Sequence, residues 1–294
     1  MFDLQEYIGN KIRIVNAELD ARMPPETERP AVLHAAMRYS LLSGGKRLRP
    51  ILVMAAAEAV GGSCETAIGP ALAVEALHTY TLVHDDLPCM DDDDLRRGRP
   101  TLHKVYGEAI ALLAGDALLT LAFEWLASRQ APPPYPPNQF ALELASAAGS
   151  RGVIGGQAED IAGTGRQPTR DLVEYIHSHK TGLLIRAALR MGAISAGAGE
   201  RELSAISDYG TSVGLAFQIA DDILNAVSSR EQLGKPVGRD KDLGKITWVA
   251  VHGLESAQNE AKRLADLAES SISGLSGDTA PLCALAQYAV GRKS

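Results

Sequence analysis

Apolar residues recur along most of the chain at the three- to four-residue spacing that is typical of amphipathic helices. No segment alternates β-branched or aromatic residues with polar ones, as strands do, and aromatic residues make up only 5% of the chain. The pattern therefore predicts an all-α protein. We expect helices over residues 3–20, 31–42, 48–60, 69–87, 107–128, 138–161, 169–195, 200–226, 245–273 and 278–291.

Glycine and proline clusters separate the predicted helices, as expected of turns. The proline-rich run at residues 131–137 is the only change of composition that suggests a linker between domains. Helical patterning resumes directly after it, so we interpret the run as a stiff connector within one bundle. We therefore expect residues 1–294 to form a single domain.

Composition and charge limit the function. The 294 residues, 46% of them hydrophobic, are enough to bury a large core. The net charge of -7 argues against a general nucleic-acid binder, which needs a basic face. The three cysteines lack metal-ligand spacing and are interpreted as reduced thiols, and the first residues show no signal-peptide pattern. These two features predict a cytoplasmic protein. Because Asp116 interrupts the apolar run at 109–123, we expect a buried helix there and no membrane insertion.

Carboxylates gather at the end of one predicted apolar helix, in residues 84–94. Pro88 should end the helix, since it excludes helical geometry at the residue before it, and the chain can then fold back to bring Asp91 towards Asp85. An isolated run of aspartates is usually a solvated loop. Here the apolar flanks favour a divalent-metal site, because carboxylates near a core need a cation.

Two arginines, Arg96 and Arg97, follow this cluster directly. Guanidinium forks bind phosphate oxygens, and a metal ion held nearby neutralises the remaining charge. The combination predicts a diphosphate ligand.

A second acidic cluster ends another apolar helix, where Asp221 and Asn225 lie four residues apart beside Gln218 and Asp222. An exposed helix end is the simpler interpretation. Aspartate at a helix C-terminus opposes the macrodipole, however, so a bound metal explains the cluster better.

Basic residues form three further groups that could balance a diphosphate. Each group is a weak signal alone, because basic surface residues are common. They are Lys46 and Arg49 in a glycine-rich turn before a helix, Lys180 within an apolar helix, and Lys235 and Lys245 after the second acidic cluster.

These motifs together resemble the trans-prenyl diphosphate synthases, most closely the bacterial farnesyl diphosphate synthase type. The similarity runs in order along nearly the whole chain, and the two aspartate-rich motifs with these spacings are very specific together. Insertion of Pro88 and Cys89 in the first motif is a mark of the short-chain bacterial and plastid groups. The segments that carry the resemblance are residues 44–50, His78, 85–91, 95–98, 155–157, 180–182 and 217–224.

The resemblance implies an isoprenoid synthase-type helical bundle around a central cavity, as a homodimer with three Mg²⁺ ions per active site. It implies condensation of isopentenyl diphosphate with dimethylallyl or geranyl diphosphate through ionisation, condensation and elimination. The expected product is farnesyl diphosphate (C15), and the alternative is geranylgeranyl diphosphate (C20).

Carried over to this chain, the resemblance assigns a role to each motif residue. The expected metal ligands are Asp85, Asp86, Asp91, Asp221 and Asp222. Gly45, Lys46, Arg49, His78 and Arg97 would hold isopentenyl diphosphate, and Arg96, Lys180, Lys235 and Lys245 the allylic diphosphate. Lys180, Thr181 and Gln218 would favour the allylic cation. Tyr80 and Thr81 would set the chain length of the product.

One position departs from the family pattern: Asn225 stands where the second motif normally ends in aspartate. We expect it to tune affinity, with a non-catalytic subunit of a heteromeric synthase as the alternative. A terpene cyclase shares the fold and first motif, but its second metal motif would need an acid at Leu233, and it needs no isopentenyl site.

Overall fold

The structure is a computed structural model that describes residues 2–227 and 246–291. Nearly all of its regular structure is helical, which confirms the all-α prediction. The helices are α1 (Leu4–Arg22), α2 (Ala31–Leu41), α3 (Leu48–Ala59), α4 (Cys64–Asp85), α5 (Leu102–Tyr106), α6 (Glu108–Ala127), α7 (Gln139–Ala148), α8 (Val153–Gly163), α9 (Arg170–Ile176), α10 (Leu183–Ser195), α11 (Glu200–Val227), α12 (Trp248–His252), α13 (Leu254–Ile272) and α14 (Ala280–Gly291).

The helix α4 lies at the centre of the packing and contacts α3, α6 and α10. Most of its residues are buried apolar ones, and alanines along it let neighbouring helices approach closely. The helix α11 packs against α10 on one side and α13 on another. Since α4 ends in the first acidic cluster and α11 in the second, α10 connects the two helices that carry the predicted metal ligands.

A π-helical segment, His177–Gly182, joins α9 to α10 and is referred to below as the π-segment. The sequence predicts one regular helix over 169–195. A π-turn inserts an extra residue and is frequent at functional sites. The π-segment packs against α8 and α11, so that Lys180 and Thr181 lie between these helices.

Other predicted elements also differ in detail. Glycine-containing turns divide the predicted helix 138–161 into α7 and α8, and the predicted helix 245–273 into α12 and α13. A short antiparallel hairpin, β1 (Leu95–Arg96) and β2 (Arg99–Pro100), was not predicted. Its turn residues Arg97 and Gly98 both have positive φ, at 54° and 74°, as a tight hairpin turn requires.

The helix α6 is the apolar run expected to be a buried helix. By length and composition alone it could cross a membrane, a test that the core helix of a soluble protein also passes. In the structure it packs against α4 and α2, which buries Leu118 and Leu121. The prediction was wrong for its outer face, where Leu112 and Leu113 are 47% and 51% exposed.

Candidate active site

A cavity of about 540 Å³ opens where α4, α6, α8 and the π-segment meet. Its polar wall carries Asp85 of the first acidic cluster together with the predicted basic residues Arg49 and Lys180, and much of the rest of its wall is apolar. An amphiphile with an anionic head and a hydrocarbon tail fits this division. The lining consists of Arg49, His78, Tyr80, Thr81, Leu82, His84, Asp85, Met90, Leu119, Val153, Ile154, Gln157, Ala158, Ile161, Lys180, Thr181 and Leu184.

A larger hollow of about 740 Å³ lies beside α12 and the start of α13. It is lined by residues such as Arg170, Trp248 and Arg263, and none of its lining residues was predicted to bind substrate or metal. We therefore place the candidate site in the smaller cavity.

At the first acidic cluster the chain folds back as the sequence predicts. Asp85 is the last residue of α4 and lines the cavity, and the Asp91 amide donates to the Asp85 carbonyl at 2.8 Å. The chain therefore folds back after Pro88. Burial raises the pKa of the Asp85 carboxyl to about 6, and Asp91 and Asp86 add to this rise while Lys180 and Arg96 oppose it. A cation at Asp85 would relieve both the burial and the repulsion.

Asp86 has a different environment from Asp85. Its side chain is only 4% exposed, and its carboxylate accepts from Arg96 Nε at 2.9 Å. The second Arg96 nitrogen, Nη2, lies 3.4 Å from Asp93. Burial alone would lower the pKa of Arg96, but the carboxylates of Asp86, Asp93 and Asp85 outweigh it and raise that pKa. Asp86 is thus engaged by Arg96, the residue predicted to bind the allylic diphosphate.

Lys180 lies on the π-segment at the cavity wall, and its Nζ donates to Asp160 Oδ2 at 2.6 Å. Burial would lower the pKa of Lys180, but Asp160, Asp85 and Asp91 raise it above its ordinary value, which keeps the side chain charged. A Cβ at Gly156 of α8 would collide with the Lys180 backbone, so a glycine is needed for this close approach.

Asp160 was missed by the sequence analysis. It follows Gln157, a cavity-lining residue, by three positions on α8, so both lie on the helix face that meets the π-segment. That spacing from the motif at 155–157 was the available signal. Of the other two residues predicted to favour the cation, Thr181 is buried in the cavity wall and Gln218 is half-buried on α11.

The glycine-rich turn before α3 brings several cationic side chains together. The Arg97 guanidinium donates to the Gly44 carbonyl and lies directly against Gly45, where a Cβ would collide with it. Lys46 is exposed in the same turn. Arg49 lines the cavity, and its Nε is buried without a hydrogen-bond partner among the described residues.

The arginines at and near this turn repel one another and favour binding of an anion. Burial lowers the pKa of Arg49 to about 10, with Arg97 adding to the fall and Glu75 opposing it. Burial and the neighbouring arginines also lower the pKa of His78 well below its ordinary value, so the imidazole is neutral. A bound phosphate would offset the repulsion among these guanidinium groups.

Arg47, a second residue that the sequence analysis missed, anchors this turn. It forms a fully buried ion pair with Glu75 at 2.7 Å and donates to Asn16 Oδ1 and the Leu41 carbonyl. Its backbone is left-handed, with φ of 46°. Since its guanidinium is already satisfied, Arg47 holds the turn that carries Lys46 and Arg49.

The two aspartates of the second acidic cluster differ in their burial. Asp222 is buried, and its Oδ2 accepts from the Trp248 amide at 2.6 Å and lies 3.2 Å from His177 Nε2. Asp221 and Asn225 are half-buried on α11. Asp222 therefore has protein partners in the position where the sequence predicts a metal ligand. Lys235 and Lys245, also predicted to bind diphosphate, lie outside the described residues.

The two residues predicted to set chain length both line the cavity. Tyr80 is 5% exposed, and its ring meets His84 edge-on at 5.5 Å between centroids. It lies on α4 below Asp85. The Thr81 hydroxyl donates to the His78 carbonyl at 2.7 Å.

The carboxylates suit Mg²⁺, which prefers oxygen ligands. Within residues 2–227 and 246–291, no three acidic, histidine or cysteine side chains are grouped so as to hold a metal ion by themselves. Mg²⁺ is commonly bound by one or two carboxylates together with substrate phosphates and water. The half-buried Asp85 near Asp91 fits that mode.

Comparison with known proteins identifies the family. The model of the polyprenyl synthetase family matches residues 30–274. The chain belongs to the polyprenyl synthetase family. The trans-prenyl synthase family inferred from the motifs is thereby confirmed, and with it the class of prenyltransferases.

Individual relatives span almost the whole chain. Geranylgeranyl pyrophosphate synthase 12 of Arabidopsis thaliana is 45% identical over 293 residues, covering 98% of this chain and 81% of the relative. The heterodimeric geranylgeranyl pyrophosphate synthase large subunit 1 of the same plant is 44% identical over 300 residues, covering 100% of this chain and 80% of the relative. The structure of an FPP/GFPP synthase from Zymomonas mobilis has a TM-score of 0.84 and 34% identity, covering 98% of both chains. The helical-bundle fold is therefore shared.

Proposed function

We propose that the protein extends an allylic diphosphate with isopentenyl diphosphate in an Mg²⁺-dependent reaction. The observation that carries this proposal is the single cavity with an apolar interior and two separate cationic groups. One group is Lys180 on the cavity wall with Arg96 nearby, beside Asp85, and the other is Arg49 on the wall with Arg97 nearby. Arg96 and Arg97 themselves line a smaller hollow that shares Leu82 with this cavity. Two diphosphates with hydrocarbon tails require two such groups facing one apolar space.

The residues of the chain supply binding and orientation. Arg96 and Lys180 would hold the allylic diphosphate, and Arg49 and Arg97 would hold isopentenyl diphosphate. Mg²⁺ held from Asp85, Asp91 and Asp221 would supply charge stabilisation to the leaving diphosphate. The Lys180 carbonyl, the Thr181 hydroxyl and the Gln218 amide would stabilise the allylic cation with their dipoles.

The condensation forms a carbon–carbon bond between the cation and the isopentenyl double bond, and one proton then leaves. The released diphosphate is the proposed acceptor of that proton, since the sequence offers no conspicuous protein base. The apolar walls, including Leu119 and Leu184, exclude water that would otherwise convert the cation to an alcohol.

Two product lengths have specific support. The Arabidopsis relatives named above are geranylgeranyl pyrophosphate synthases, and at 44–45% identity they favour a C20 product. The C15 product expected from the sequence is supported by Tyr80, whose large ring lies in the cavity wall below the diphosphate end. We rank the C20 product first, because those relatives match nearly the whole chain, and retain C15 as the second candidate.

A primer assay tests both the proposed elongation activity and the product length. Purified protein is incubated with Mg²⁺, labelled isopentenyl diphosphate and, separately, dimethylallyl, geranyl or farnesyl diphosphate, and the products are identified by chain length. Elongation of farnesyl diphosphate supports the C20 product, whereas accumulation of C15 and rejection of farnesyl diphosphate support the second candidate. If none of the primers is elongated, the enzymatic proposal fails and the non-catalytic subunit gains support.

We further propose a homodimer with three Mg²⁺ ions per active site, and the predicted cytoplasmic location is retained as a proposal. The exposed apolar residues Leu112, Leu113 and Val105 on α5 and α6 support an interface with a second copy. Light scattering after gel filtration should give a dimer mass that falls to the monomer mass in a Leu112→Glu, Leu113→Glu variant. The Leu267→Glu variant is the matched control, because it places glutamate at an exposed leucine of α13, outside the proposed interface.

A further inference from the structure

The buried carboxylate of Asp222 lies where three elements meet. It belongs to α11 and is 8% exposed. The same oxygen, Oδ2, accepts from the Trp248 amide at the start of α12 and lies 3.2 Å from Nε2 of His177, the first residue of the π-segment. One oxygen atom therefore makes polar contacts with two elements that are remote in sequence.

The surrounding side chains restrict the positions of the Asp222 and His177 side chains. The side chains of Val173, Ile176, Ile219 and Trp248 form an apolar cluster here, and a carboxylate in such surroundings is tolerated only when polar groups partner it. The His177 ring lies nearly parallel to that of Trp248, at 19° and 6.1 Å between centroids. Its buried Nδ1 has no hydrogen-bond partner among the described residues. The imidazole is therefore held in place from its Nε2 side, by Asp222.

The contact connects two elements of the candidate site. His177 precedes Lys180 and Thr181 by three and four residues on the π-segment, and Asp222 directly follows Asp221 on α11. The contact of His177 with Asp222 helps to fix the position of the two backbones relative to each other, together with the close approach of Gly214 to Gly182. The positions of Asp221 and Lys180 then depend on the same contact.

We propose that Asp222 and His177 form a positioning pair that aligns Asp221 with Lys180 and Thr181, and that Asp222 is not a metal ligand. The inference rests on the proposed function, in which these elements bind one diphosphate. Misplacement of catalytic groups by about 1 Å can slow a reaction about 100-fold. Residues that orient ligands from behind act in this way.

The test uses single and double variants of the full chain. Asp222→Ala, Asp222→Asn, His177→Ala, His177→Gln and the Asp222→Ala, His177→Ala double variant are compared with Asp221→Asn. Asp208→Asn removes a charge from an exposed site on the same helix and is the matched control. The measurements are kcat, the Mg²⁺ concentration for half-maximal rate, the temperature of unfolding, and calorimetric binding of inorganic pyrophosphate across an Mg²⁺ series.

Both alanine variants should lower kcat by about 10- to 100-fold, the usual effect of removing an outer partner of a ligand, with a nearly unchanged Mg²⁺ requirement. The double variant should be no slower than the slower single variant, because both changes remove the same contact. His177→Gln should recover most of the loss, since its amide can still donate to Asp222. Asp222→Asn should bind pyrophosphate with the wild-type Mg²⁺ dependence, whereas Asp221→Asn should not.

Three results overturn the inference: an Mg²⁺ requirement in Asp222→Asn raised as far as in Asp221→Asn, an unchanged kcat in His177→Ala, or losses that multiply in the double variant. Failure of the proposed function is a separate outcome, in which the wild-type protein elongates no primer. The pyrophosphate titration still decides the role of Asp222 in that case. A shared loss of Mg²⁺ dependence in Asp222→Asn and Asp221→Asn would then show two ligands.

Discussion

The two acidic clusters resemble each other in sequence, yet their aspartates have different partners in the structure. In the first, Asp85 lines the cavity and Asp86 is paired with the cationic Arg96. In the second, Asp222 contacts a backbone amide and His177. In both pairs the second aspartate has a protein partner. The two aspartates of each pair also differ in burial, since Asp86 and Asp222 are buried whereas Asp85 and Asp221 are half-buried.

The clusters also differ in how their geometry is maintained. The first depends on a loop that returns to the helix end, where the Asp91 amide binds the Asp85 carbonyl. The second remains within α11 and is fixed by contacts to the π-segment and α12. Only the first contributes to the described cavity lining. We therefore expect changes in the first cluster to alter both rate and product, and changes in the second to alter mainly metal affinity and alignment.

Asp85→Ala should have the largest effect. The charge stabilisation that a metal clamp gives to a leaving diphosphate is worth several kcal/mol, so turnover should fall by several orders of magnitude. Steady-state rates in saturating Mg²⁺ measure the loss. Asp92→Asn removes an exposed charge from the same loop and should retain near wild-type turnover. An active Asp85→Ala protein, or full activity in excess chelator, would contradict the metal assignment.

Alanine substitutions of Arg96 and Arg97 in the hairpin should have the next largest effects, each on the binding of a different substrate. Arg96→Ala should raise KM for the allylic diphosphate and Arg97→Ala should raise KM for isopentenyl diphosphate. Each loses hydrogen bonds to a charged group, worth about 1.5–3 kcal/mol, or roughly 10- to 150-fold in affinity.

Arg99→Ala is the control for both variants, because Arg99 lies in the same hairpin but stacks over the ring of Tyr39 at 4.3 Å. Its KM values should stay near those of the wild type. The division of the two diphosphates between Arg96 and Arg97 is wrong if both variants raise the same KM.

The sequence predicts elements whose signal is local. Helix positions follow from periodicity, and the return of Asp91 follows from Pro88, which excludes helix at the residue before it. The π-segment, the hairpin and the division of the predicted helix 138–161 were missed. They depend on contacts with other elements, such as the packing of α8 against the π-segment, which periodicity does not contain.

The same limit applies to the site. Ligand types and spacings identified the cavity residues Asp85, Lys180 and Arg49, because the chemistry of diphosphate requires them. Partners within the protein were missed, since each lies far along the chain. Asp160 meets Lys180 across 20 residues and Glu75 meets Arg47 across 28. The spacing of Asp160 from the motif at 155–157 indicates which face of α8 it lies on, but it does not indicate that its partner is Lys180.

Asn225→Asp tests the second cluster and should have a smaller effect than the substitutions above. An added carboxylate on the α11 face that carries Asp221 should lower the Mg²⁺ concentration for half-maximal rate several-fold, with kcat changing less than in Asp221→Ala. Asp222→Asn, measured alongside, distinguishes a ligand effect from a positioning effect. Activity that appears only after Asn225→Asp would show that the natural chain is a non-catalytic subunit.

Tyr80→Ala should have the smallest effect on rate and a specific effect on product, because Tyr80 belongs to the helix of the first cluster and not of the second. It precedes Asp85 by five residues, hence about 7–8 Å along α4 at 1.5 Å per residue. A tail that extends from the diphosphate into the apolar cavity passes this ring, so its removal should lengthen the product while KM for isopentenyl diphosphate stays nearly constant. Tyr80→Phe keeps the ring and should keep the wild-type product. Chain-length analysis distinguishes these outcomes, and an unchanged product from Tyr80→Ala would place the floor of the cavity at another residue, with Leu119 of α6 the next candidate on its wall.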